Sequence, residues 1–359
     1  MYGVQTLTIN KVNSYDGSTI NGGLIWGDGP EGISAALLDT AAYGRALTNV
    51  KLTAGKTYEA EYYLHNRTGT NVIMAICVKN TSTSQFGSVT LLKSAMVNAT
   101  SAIYKQGMMA SFEKSSLNRT LTVNPATSAY SDQGCTALVN TGVLSNKYIS
   151  NARVRFKVNS GSDLRLKIIV VKYQSDWLKR AGWTNLVNAA DLNQQNPLAA
   201  SGTPYSASTS FTGLFSNVAR NVTVPNLNPF RLCWGGYNNM DGDPVSGSIT
   251  ANSTRVIDCY NSGEFEDPTN TLPFKRNGNK GNFGVVYAIY CSNANANYIR
   301  IKPTRAQEGS YTVKINGIWQ SVSATQSTPA KLALSDGHSI WFALTGGNTG
   351  DIELQFTQG

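Results

Sequence analysis

The chain has 359 residues, 41% of them hydrophobic and only 14% charged, with a formal net charge of +9. That apolar content suffices for a core and excludes a disordered chain, and the length favours two domains. Residues 1–172 carry 17 Lys and Arg against 9 Asp and Glu, so the basic surplus lies in the first half; with no run of basic residues it reads as a solvated face.

Strand-like alternation begins at Val4, Leu7, Ile9 and Val12, a first strand or an arm able to pair with another copy. Asp16-Gly17 makes a turn, a second strand covers 20–26, and Gly27-Asp28-Gly29-Pro30-Glu31 demands a loop. Residues 45–52, 57–65, 71–79 and 87–93 follow as strands at the even spacing of sandwiches and jelly rolls. Residues 101–112 read as a short helix or an irregular crossing, and 121–123, 152–158 and 164–173 resume the β pattern. At Ser175 the period changes: Trp177, Leu178, Leu186 and Val187 fit one helical face, with Ser175 or Asp176 as its cap. This helix and the polar run behind it, 174–210, divide a lobe over 1–173 from a lobe over 211–359.

In the second half 211–215, 218–224, 230–234, 253–260, 331–334, 339–344 and 351–356 read as strands, and the plainest sheet signal lies at 280–320. There Phe283, Val285, Tyr287 and Ile289 share one face while Val286, Ala288 and Tyr290 make the other apolar too, the mark of a strand buried on both sides. Tyr298, Ile299 and Ile301 with Arg300 and Lys302 give a strand wet on one face. Tyr311, Val313 and Ile315 alternate cleanly up to Asn316-Gly317, which offers positive φ for a tight hairpin into Ile318-Trp319. The expected fold is all-β: two β-sandwich or jelly-roll lobes joined by a short helical segment.

Chemistry is sparse. The two histidines, His65 and His338, sit beside turns, and no GxSxG, HExxH or phosphate-loop motif occurs. The acidic groups Asp28 with Glu31, Asp241 with Asp243, and Glu264 with Glu266 and Asp267 lie in Gly- or Pro-rich loops, where Asp is a common turn former. Asn239, Asp241 and Asp243 have the alternating oxygen spacing of a calcium loop around Gly242; without a closing Glu this is no EF-hand, and a structural calcium ion is the one metal considered. Five scattered cysteines exclude zinc frameworks; Cys77 and Cys291 read as small core residues, and Cys233 and Cys259 as strand neighbours able to pair under oxidising conditions. No stretch approaches the roughly 18 to 20 apolar residues of a membrane span, and the start MYGVQTLTINKV lacks the basic and apolar regions of a signal peptide.

Several segments resemble, in order, a family of uncharacterised secreted all-β proteins of Gram-positive bacteria that often accompany a copper-amine-oxidase N-terminal-like stalk domain. They are D-G-P-E at 28–31, E-Y-Y-L-H-N at 61–66, 164–171, T-G-L-F-S-N-V-A-R at 212–220 and K-G-N-F-G-V-V-Y at 280–287. The resemblance implies an extracellular or cell-surface location and no catalytic residues. The expected function is that of a non-enzymatic structural protein assembling through strand pairing into a fibre, tube or layer. Two alternatives are a viral double jelly-roll capsid protein, the one case in which nucleic acid would be a partner, and a carbohydrate-binding or glycan-cleaving surface protein using its aromatic residues and loop carboxylates.

Overall fold

The structure, a computed structural model, describes residues 9–28, 33–35, 44–46, 48, 50–100, 105–173, 175, 212–215, 217–224, 230–234, 254–258, 284–291, 296–303, 308–335, 339–343 and 352–358. The fold is all-β, with two sheets in each lobe, as expected. The N-lobe comprises Thr19–Ser216 with Ser262–Gly278, and the C-lobe comprises Met1–Ser18, Asn217–Asn261 and Asn279–Gly359. This division departs from the boundaries expected at 173 and 211, because long-range pairing outweighs nearness in sequence. Strand β1 (Ile9–Val12) pairs with β14 (Ala219–Val224) in the C-lobe, and β13 (Thr212–Phe215) pairs with β2 (Gly23–Asp28) in the N-lobe. Apart from residue 175, the segment 174–210 lies outside the described residues.

The N-lobe continues with β3 (Ile33–Ser34), β4 (Gly44–Ala46), β5 (Val50–Lys51), β6 (Thr57–Arg67), β7 (Val72–Asn80), β8 (Gly87–Ala99), helix α1 (Lys105–Lys114), β9 (Arg119–Val123), β10 (Cys135–Asn140), β11 (Ile149–Ser160) and β12 (Leu164–Lys172). One sheet runs β13-β2-β6-β11-β8-β9 with β3 beside β6, and the other runs β10-β7-β12-β4 with β5 beside β12. Period-two alternation builds the core between them. Tyr58, Ala60, Tyr62 and Leu64 of β6 and Ala152, Val154, Phe156 and Val158 of β11 join one buried cluster with Met74, Ile76 and Val78 of β7 and Leu166, Ile168 and Val170 of β12. The other face of β7 is buried as well, where Ile73, Ala75 and Cys77 gather with Cys135, Ile169 and Val171. Gly23 is obligatory, since its φ is +92° and a Cβ there would stand 2.2 Å from the Phe215 carbonyl oxygen.

The C-lobe strands are β15 (Phe230–Trp234), β16 (Thr254–Asp258), β17 (Val286–Cys291), β18 (Tyr298–Pro303), β19 (Glu308–Ile315), β20 (Ile318–Thr325), β21 (Ala330–Ala333), β22 (Ser339–Ala343) and β23 (Ile352–Thr357). They form a six-stranded sheet β1-β14-β17-β22-β19-β20 and a five-stranded sheet β16-β15-β23-β18-β21. The stretch 280–320 is therefore no meander, for its three strands alternate between the two sheets. Strand β17 lies inside the first, parallel to β14 and antiparallel to β22, and Val285, Val286, Tyr287, Ala288 and Ile289 are all buried. Tyr290, expected on an apolar face, is 42% exposed near the strand's end. The turn at Asn316 (φ 52°) and Gly317 (φ 75°) joins β19 to β20 with Ile315 opposite Ile318, as expected.

A charge at Val285 is expected to destabilise this lobe by about 4 kcal/mol or more, because an isolated buried carboxylate has nothing to pair with. Thermal melting of Val285→Asp followed by circular dichroism checks this. An unchanged Tm would remove Val285 from the core.

Candidate functional site

Alternation that sends the even residues of β6 and β11 into the core sends the odd ones to the opposite face of their sheet, and there the chain concentrates charge. Antiparallel register sets Glu61 opposite Arg153, Glu59 opposite Arg155 and Tyr63 opposite Asn151. Glu59 takes both guanidinium groups: Arg153 Nε donates to Oε2 at 2.9 Å and Arg155 Nε to Oε1 at 2.8 Å. The terminal nitrogens of Arg153 also hold Glu59 Oε2 and Glu61 Oε2. Asn151 Nδ2 donates to Glu61 Oε1 at 3.1 Å and to the Tyr62 carbonyl at 2.6 Å. None of these five side chains belongs to a residue more than 2% exposed.

Helix α1 supplies cover. Its apolar residues Met108, Met109 and Phe112 fall at i, i+1 and i+4, hence on one face, and all three are buried. The Phe112 ring lies 5.5 Å from Arg153 Cζ, 5.7 Å from Arg155 Cζ and 5.8 Å from Lys93 Nζ, a cation–π contact with three cations. Lys93 Nζ also donates to the Glu113 carbonyl at 2.9 Å, tying β8 to the last turn of the helix. Two carboxylates and two guanidiniums cancel, so the desolvated group stands as a charge-balanced unit. Buried and mutually engaged, its carboxylates tie β6 to β11, and helix α1 covers the group through Phe112.

Sequence reading missed this network, although the signal is visible: Glu-Ala-Glu in one strand and Arg-Val-Arg in another are like charges two residues apart, hence on one face. Four cations of the first half also leave the solvated basic face. Arg153, Arg155, Lys79 and Lys167 are buried, the last opposite Cys77, and Lys79 Nζ donates to the Gln133 carbonyl. The candidate calcium ligands Asn239, Asp241 and Asp243 lie outside the described residues, as do Glu31, Glu264, Glu266, Asp267, His338 and Cys259, and the side chains of Asp28, Cys233 and Cys291. Among the described residues no group of three metal-ligating side chains comes together. His65, in β6, accepts from Arg67 Nε at 3.2 Å.

Three buried side chains outside the network hold their protons more tightly than usual. Burial pushes the Tyr62 phenol above its usual value, against a 3.0 Å hydrogen bond with Ser150 Oγ that pulls it down, and burial raises Tyr311 likewise. Cys77 and Cys135 are free, buried thiols on adjacent strands; burial first, then the Cys135 hydrogen bond, raises Cys77. Among the described residues, three aromatic rings and a lysine gather in the C-lobe. Lys314 Nζ sits 4.3 Å over the Trp341 ring, which Tyr15 meets edge-on at 5.7 Å and Trp319 at 6.3 Å.

No family model matches the chain, and no curated protein matches it. Among solved structures it is similar to procruciferin, an 11S globulin of Brassica napus, at 11% identity over 90% of this chain and 86% of that one, with a TM-score of 0.14. An 11S globulin of Wrightia tinctoria shows 8% identity over 91% and 85%, again with a TM-score of 0.14. Likeness at this level carries no argument about function.

Removing one partner of a buried ion network leaves a charge stranded, so Arg153→Met is expected to cost about 3–5 kcal/mol in urea unfolding. The charge-balanced double variant Glu59→Met/Arg153→Met should recover much of that; equal losses in both would mean that packing, and not charge, is at stake. The tyrosines set a pH dependence. Above the ordinary tyrosine value of about 10 the unfolded chain loses protons that the native Tyr62 and Tyr311 keep. Their contribution is thus intact below about pH 10 and lost as the pH rises beyond it. Unfolding free energies measured from pH 8 to pH 11.5 should fall over the upper part of that range, and less steeply in Tyr62→Phe.

Proposed function

We propose that the chain is a non-enzymatic structural protein whose copies associate through sheet edges into an extracellular or cell-surface fibre, tube or layer. The observation that carries this reading is β20. It is an eight-residue edge strand, IWQSVSAT, whose pairing among the described residues is with β19 alone, and it contains no charged residue, no proline and no register shift. Soluble proteins usually guard such edges with lysine, proline, brevity or a bulge. Four other edges are guarded, β9 by Arg119, β21 by Lys331, β1 by Lys11 and β10 by the shift between Ala137 and Val139, and the uncharged edge strand β13 is only four residues long. Ile318, at the start of β20, is 66% exposed.

An unguarded edge offers backbone donors and acceptors to an extended segment of a second copy. Self-pairing of β20 closes a dimer, whereas pairing with a different edge propagates. The resemblance to secreted Gram-positive β-proteins and the low charge density agree with an extracellular setting. No helix among the described residues is long and apolar enough to cross a membrane.

Sedimentation and electron microscopy of the purified protein test the reading. Assemblies larger than a monomer are expected, and Ser323→Lys, at an exposed position of β20, should weaken them at least tenfold while changing monomer stability by no more than about 0.5 kcal/mol. Monodisperse monomers at all concentrations, with or without calcium, would sink it.

A further inference from the structure

The opposite edge of the same six-stranded sheet is built differently. Strand β1 completes the C-lobe, yet from Thr19 the chain runs into the N-lobe and returns only at Asn217. Its pairing with β14 is brief: Ile9 opposite Val222, Asn10 opposite Asn221, Lys11 opposite Arg220 and Val12 opposite Ala219. On its other side β14 is held by β17 through six paired positions, so the sheet stands without β1. We propose that β1 is an exchangeable strand, which in the assembled protein lies beside β14 of a second copy. This rests on the reading that copies associate, and it supplies a second joint distinct from β20.

Three features favour exchange. First, β1 itself keeps much of its surface in water: Asn10 and Lys11 are exposed and Val12 is only half-buried. Second, β14 needs an occupant at that edge. Ala219, Arg220 and Val222 are fully buried, and β1 is the extended segment paired with them. Third, the connection is a hinge. Residues 13–18 turn at Asp16-Gly17, where Gly17 has φ +84° with open space around it and the Ser18 amide donates to Asp16 Oδ1 at 3.2 Å. Tyr15 against Trp341 and Asn217 Nδ2 donating to Asn13 Oδ1 at 3.2 Å are among the contacts that steady it. Exchange remakes the same strand pairs between chains, so the balance is governed by concentration and by the conformation of the hinge.

Two single variants provide the test. Asn10→Cys and Asn221→Cys chains are mixed, oxidised mildly and mapped by mass spectrometry. Because each chain carries one new cysteine of the pair, a 10–221 disulfide in the mixture forms only between chains. It is expected, in a fraction that rises with concentration. Gly17→Pro, which cannot hold positive φ, should raise that fraction several-fold by opening the hinge. The double variant Asn10→Cys/Asn221→Cys should close within one chain when dilute; failure to close there overturns the pairing itself. Assemblies seen by sedimentation without any interchain 10–221 link overturn the exchange and leave association through β20 standing. Monomers alone, with no interchain link, overturn both.

Discussion

Two carboxylates set opposite two guanidiniums beneath a helix cannot slip by one residue without stranding four charges. That constraint governs the N-lobe. Period-two alternation already commits the even residues of β6 and β11 to the core, and the same alternation commits Glu59, Glu61, Arg153 and Arg155 to the other face. A one-residue shift would carry the ions into the apolar core and Tyr58, Ala60, Val154 and Phe156 out of it, so the correct register wins on both faces at once. Ion pairs of this kind add little net stability over an apolar replacement, since desolvation offsets most of their attraction. Their value lies in excluding alternatives. They also make α1 necessary, because without Phe112 and its neighbours the ions would face water and the pairing would weaken severalfold with the rise in dielectric.

Much of this architecture is legible in the sequence where a local rule decides the outcome. Asn316-Gly317 names its own turn because few residues tolerate positive φ, and Val285 to Ile289 declare a doubly buried strand because nothing in them asks for water. What stays hidden depends on partners distant in sequence. Charged residues on a strand ordinarily mean a wet face, and only the pairing of β6 with β11, some ninety residues apart, turns Arg153 and Arg155 into buried groups. Strand β10 escapes notice because its inward residues, Cys135 and Leu138, interrupt the alternation across a register shift. The lobe boundary fails for the same reason. Residues 9–12 and 212–215 lie next to one lobe in sequence and pair in the other.

Burying its charges also changes what the molecule shows to its surroundings. With Lys79 and Lys167 inside, part of the basic surplus of the first half is spent on structure, while buried Arg153 and Arg155 are offset by buried Glu59 and Glu61 and leave that surplus unchanged. A surface poor in charge is also poor in the repulsion that keeps copies apart. Where an unguarded strand such as β20 adds open backbone groups, the remaining barrier to association is the entropy of bringing two copies together, which rising concentration lowers. The two edges of the C-lobe sheet then differ in kind. At β20, whose strand partner among the described residues is β19 alone, association would form a new strand pair, whereas at β1 the pair exists already and would only change owners. Association through β20 should therefore set how tightly copies hold, and exchange at β1 how slowly they part, because release there requires the hinge at Asp16-Gly17 to refold before the strand can return.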